Sequence, residues 1–188
     1  MSKRLLWIAI PIAIVPYLAL LALATIFLFA NVPFFQWIME TVFCNNALYL
    51  VAALFVYCIL VIILTAIWFF VSIHKKLDPF AIAKTAMIIK LAQIPAYVLI
   101  YAIGVLMLFT IFTIPFTIGL FLIDCLAVFM TGLLVIASVV ISIKNNHFLW
   151  KEVFWIVLLQ FIFCGDVIAS VFLYRKLKRI YEAKLSDV

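Results

Sequence analysis

The chain has 188 residues, 71% of them hydrophobic and 11% charged, with a net charge of +6 and a mean hydropathy of +1.44. A water-soluble domain is about half apolar and about a quarter charged, and so short a chain has too much surface for its volume to hide this excess in a core. A soluble globular fold is therefore excluded, and hydrocarbon is the expected solvent.

Five segments, 5–30, 47–73, 86–112, 115–143 and 148–174, each offer the roughly 20 mostly apolar residues that cross ~30 Å of hydrocarbon. The ten-residue alternation of a transmembrane β-barrel is absent. The expected fold class is all-α: a multipass transmembrane helical bundle, one integral membrane domain over 1–188, with about five spans plus a short interfacial helix. The first segment opens on Lys3 and Arg4 as a signal peptide would, and Ala22-Leu23-Ala24 resembles a cleavage site. Its apolar run outlasts a secretory h-region of roughly 7–15 residues, so a retained signal-anchor helix is expected. Pro11 and Pro16 within it each remove a backbone donor, and neighbouring groups are expected to re-satisfy the freed carbonyls.

After Asn31 comes a short amphipathic helix, 33–44, with Phe34, Trp37 and Ile38 on its apolar side and Gln36 and Glu40 one turn apart opposite. It reads as a connecting helix at the membrane interface. Beyond the second span, Asp78-Pro79 reads as N-cap and first helical residue, so the third helix starts before the membrane. Lys84 and Lys90 are expected to snorkel to the surface, and Pro95 to bend the helix. His74, beside Lys75 and Lys76, reads as a solvated flank. The last segment leads into a basic tail, 175–188, whose Arg175, Lys176, Lys178 and Arg179 are expected to adhere to anionic lipid headgroups, each worth about 1 kcal/mol.

All 13 Lys and Arg fall in the N-terminus, 75–90, 144–151 and 175–184, while the connections 31–46 and 113–119 have none. The positive-inside rule places the N-terminus and both basic loops in the cytoplasm, and four spans alternate accordingly. The fifth conflicts, because a full crossing carries the basic tail outside. Either the segment crosses nonetheless, or it dips in and returns near Gly165 on two arms of about 12 residues, each ~18 Å and too short to span. A re-entrant backbone needs protein or water to satisfy its turn. The crossing is the favoured expectation.

One question remains along the spans: why Asp124 sits in an otherwise apolar run. Asp124, Thr131, Ser138 and Ser142 share one helical face, which must turn toward protein or water, because unpaired polar groups cost several kcal/mol in hydrocarbon. The last segment carries Gln160, Cys164, Asp166 and Ser170 along one broad side. Asp124 lies 21 residues before Asn145 and Asp166 lies 21 after it, so an antiparallel hairpin would bring both carboxylates to one depth, with Thr131 and Gln160 matched nearer the midplane. Two close carboxylates at low dielectric share a proton. Such a pair locks two helices, or binds a cation or relays protons, or serves acid/base catalysis, in that order of expectation. Asp124, Asp166, Thr131 and Gln160 are the candidate ion or proton residues.

Other chemistry lacks its residues. No H-E-x-x-H, G-x-S-x-G, Walker A or Rossmann glycine pattern occurs, and neither His74 nor His147 lies in a span. No catalytic residue, cofactor or metal is expected. The cysteines Cys44, Cys58, Cys125 and Cys164 form no C-x-x-C and read as structural thiols. The basic residues flank spans, which argues for headgroups and against nucleic acid. The expected partners are the lipid bilayer and a membrane protein, another chain or a second copy, and the expected location is the cell membrane. A non-enzymatic subunit or accessory of a membrane assembly is the leading expectation; a small proton- or cation-coupled transporter using Asp124 and Asp166 is the alternative.

Overall fold

The computed structural model describes residues 3–27, 32–109, 113–162 and 165–186. The described residues form α1 (Lys3–Phe27), α2 (Pro33–Thr41), α3 (Ala47–His74), α4 (Pro79–Met107), α5 (Ile114–Lys144), α6 (Trp150–Leu159) and α7 (Gly165–Ser186). Of these, α1, α3, α4 and α5 are long and apolar enough to cross a membrane. The chain is a membrane-embedded helical protein.

The helix starts follow local chemistry. Asp78 accepts from the amides of Phe80 and Ala81 at 3.1 and 3.2 Å, with Pro79 occupying the position that needs no donor. Asn46 caps α3 by accepting from the Leu48 amide at 2.9 Å. The tight connections use left-handed backbone at Cys44, Asn45, Lys76 and Asn146, a region that Asn enters more readily than most residues. Asn31, the expected start of the interfacial helix, lies outside the described residues. α2 itself differs slightly from expectation: Phe34 and Trp37 are exposed, while Phe35, Ile38 and Met39 turn partly inward against α1 and α3.

α5 is the central element, packed against α1, α3, α4 and α6. Its covered faces hold small residues, Ala127, Gly132, Ala137 and Ser138 among them, which let neighbours approach closely. At one end, Lys144 joins Ile73, His74 and Lys75 around a shared hollow. Ser138 donates to the Pro79 carbonyl at 2.7 Å, and Phe80 stacks on Tyr174 and Tyr181 at 5.6 and 5.1 Å. This is the basic end of the bundle. At the far end, the Phe27 ring meets the Phe116 ring edge-on at 5.0 Å.

The segment 148–174 does not cross, which corrects the favoured expectation. α6 stops at Leu159 after 10 residues, ~15 Å, about half the hydrocarbon thickness. The chain turns at Gln160 and Phe161, and α7 runs back. The return is fixed by Lys176, whose Nζ reaches Glu152 Oε2 at 2.7 Å and lies 4.5 Å over the Phe148 ring. Gly165 makes the reversal tight: a Cβ there would stand 3.2 Å from the Leu159 carbonyl oxygen and from Ile162 Cβ. The expected fifth span is thus a re-entrant hairpin, and the tail emerges at the basic end beside α6.

Candidate functional site

A hairpin that stops inside the bilayer leaves helix ends where no water can satisfy them. The neighbours supply what is needed. α4 presents Lys90, Gln93 and Tyr97 along one face, at the three- and four-residue spacings that align side chains on a helix. Lys90 Nζ donates to Asp166 Oδ2 at 2.7 Å, with the two side chains 0% and 2% exposed. Asp166 sits in the first turn of α7, where its charge also meets the positive end of the helix dipole. Its Oδ1 accepts from the Val167 amide at 2.8 Å, and its carbonyl accepts from the Ser170 hydroxyl at 2.8 Å. Gln160 Nε2 lies 3.5 Å from the Asp166 carbonyl and from Ser170 Oγ.

The expected snorkelling of Lys90 is therefore wrong, whereas Lys84 is exposed. Lys90 cannot reach water past the helices that cover it, and the buried carboxylate of Asp166 supplies the compensating charge. An unpaired ion at this position would cost several kcal/mol.

One turn on, Gln93 performs the repair expected for the prolines. Pro16 has no amide to offer the carbonyl of Ile12, four residues earlier. Gln93 Nε2 donates to that oxygen at 2.8 Å, and Tyr97 Oη donates back to Gln93 Oε1 at 2.9 Å. The two helices are thereby stitched through a defect in one of them. Tyr57 Oη donates to the Pro11 carbonyl at 3.1 Å, a further bond onto α1.

The proposed pairing of Asp124 with Asp166 is not formed. It required 148–174 to run on as one helix, whereas the reversal holds Asp166 about 15 Å along α7 from Lys176 instead of carrying it about 30 Å onward. Asp166 is claimed by Lys90. The stripe of Asp124, Thr131, Ser138 and Ser142 is buried as its spacing required. Thr131, however, bonds to its own helix at the Ala127 and Val128 carbonyls, both at 3.0 Å. The Thr131–Gln160 match holds to within a residue, because Gln160 Cβ would lie 3.8 Å from a Cβ at Gly132.

Asp124 is 6% exposed, and its Oδ1 and the Oε1 of Gln160 are the buried side-chain oxygens lacking a hydrogen-bond partner among the described residues. Asp124 is among the residues lining a groove of about 320 Å³ between the far halves of α4 and α5. In the tail, Arg175, Lys178 and Arg179 are exposed, and Lys178 Nζ lies 3.5 Å from Glu182 Oε1. Lys176 is half-buried and pairs with Glu152 across the hairpin.

No protein-family model, curated protein or solved structure matches the chain significantly.

Proposed function

We propose that the chain is a non-enzymatic subunit or accessory of a larger assembly in the cell membrane, with its basic end in the cytoplasm. The observation that supports this reading is the use made of the buried charges. Lys90 and Asp166 neutralise each other in full burial, and Gln93, Tyr97 and Ser138 are bonded across or along helices. These groups fasten a hairpin and a proline-interrupted helix into the bundle. A translocation path instead needs polar groups left available along a route, able to bind and release. The re-entrant return also keeps every basic cluster at one end, in accord with the charge rule for cytoplasmic loops.

A proton- or cation-coupled transporter is the competing reading. Its specific support is Asp124, whose carboxyl has an oxygen without a hydrogen-bond partner among the described residues; its difficulty is that Asp166 would have to release Lys90. The two are separated by experiment. Purified from native membranes in mild detergent, the chain should bring a stoichiometric membrane-protein partner, and in proteoliposomes it should pass no protons or monovalent cations alone. A pH-dependent flux from the isolated chain, abolished by Asp124→Asn, would overturn the subunit reading.

A further inference from the structure

The groove beside Asp124 joins apolar walls to a buried acid. Ile100, Val105, Leu108 and Leu120 give it apolar walls, and Tyr101 and Phe121 add two aromatic rings. Gly104 keeps it open opposite Thr117, whose Cγ2 lies 3.7 Å from where a glycine Cβ would be. Asp124 also lines it, more than nine-tenths buried, and its Oδ1 lies beneath the surface with no hydrogen-bond partner among the described residues. Burying a carboxyl without a partner costs several kcal/mol. A chain that repairs a proline-freed carbonyl with Gln93 leaves this acid unrepaired.

The chemistry of a fitting occupant follows. One carboxyl with apolar walls is too few oxygens for a calcium or magnesium ion, which takes about six or more. An anion is repelled. An ammonium supplies a charge-assisted hydrogen bond to the carboxylate, and aromatic rings such as Tyr101 and Phe121 in the lining are compatible with a cation. The volume, about 320 Å³, is at the small end of ligand sites, which span roughly 300–1,000 Å³.

We propose that the α4–α5 groove binds a compact lipophilic monoamine, its ammonium on Asp124 and its hydrocarbon body against the apolar walls. The site serves a subunit and a transporter equally, so it stands apart from the choice between them.

The test uses the full chain in lipid nanodiscs, with radiolabelled 1-aminoadamantane as the probe and empty nanodiscs subtracted. Saturable binding of one amine per chain is expected, with neutral 1-adamantanol at least tenfold weaker as a competitor. Asp124→Asn should weaken amine binding at least tenfold. Val105→Trp, which fills the groove from its lipid-exposed wall without touching the acid, should do the same and guards against misfolding of the first variant. Absence of saturable binding, equal competition by the alcohol, or unchanged affinity in folded Asp124→Asn or Val105→Trp would each overturn the proposal.

Discussion

Replacing Lys90 by Met should destabilise the protein by about 3–5 kcal/mol, the loss expected when one partner of a buried ion pair is removed and the other is stranded. The stranded group is Asp166, which has Lys90 as its ion-pair partner at 2.7 Å and almost no exposure. Asp166→Leu should cost a similar amount, because it strands the ammonium instead. Combining Lys90→Met with Asp166→Leu should recover most of either loss, since two apolar side chains of comparable bulk need no compensation in a low-dielectric interior. The coupling is read as the departure from additivity in SDS-induced unfolding of the wild type, both single variants and the double variant in mixed micelles. Additive losses would mean that the two groups do not depend on each other, and would remove the fastening between α4 and α7.

The second large effect concerns a hydrogen bond whose value depends on a missing one. Gln93→Leu should cost about 1–3 kcal/mol by leaving the buried Ile12 carbonyl unpaired. In the background of Pro16→Ala the same change should cost much less, because an alanine amide at that position can restore the helical bond to Ile12. The rescue is specific to this register, because the backbone amide of residue 16 is the helical donor to that oxygen. Thermal unfolding in detergent measures it, and an equal loss from Gln93→Leu in both backgrounds would show that the glutamine is not repairing the proline site.

Much of the architecture was legible because lipid simplifies the code. Length and hydropathy placed α5 to within a residue of its observed limits, and Asp78-Pro79 marked the start of α4 through cap chemistry alone. The uneven placement of basic residues marked 148–174 as a conflict, and a return near Gly165 was the alternative that resolved it. The balance then went to the crossing because the groups that satisfy a re-entrant turn come from elsewhere in the chain, and sequence does not show them. Lys90 is the clearest case. Beside Lys84 it read as a second snorkelling lysine, although Lys90, Gln93 and Tyr97 already lay on one face. Their spacing announced a polar face, but its partners depended on where Asp166 fell. That in turn depended on whether the last segment crossed. The expected Asp124–Asp166 pair failed for the same reason, since equal spacing from Asn145 means equal depth only if both segments are unbroken helices.

Everything rests on the reversal at Gln160–Gly165, and the side on which the tail emerges tests it most directly. The chain carries its own reference, Cys44, exposed in the connection between α2 and α3 at the far end. Single-cysteine variants carrying Lys75→Cys or Glu182→Cys, compared with one retaining only Cys44, can be treated in intact cells with a membrane-impermeant maleimide. The hairpin requires the sites at 75 and 182 to react alike and opposite to Cys44. Labelling of the 182 site together with Cys44, and not with the 75 site, would mean that the last segment spans the membrane, and the Lys90–Asp166 fastening would fall with the hairpin.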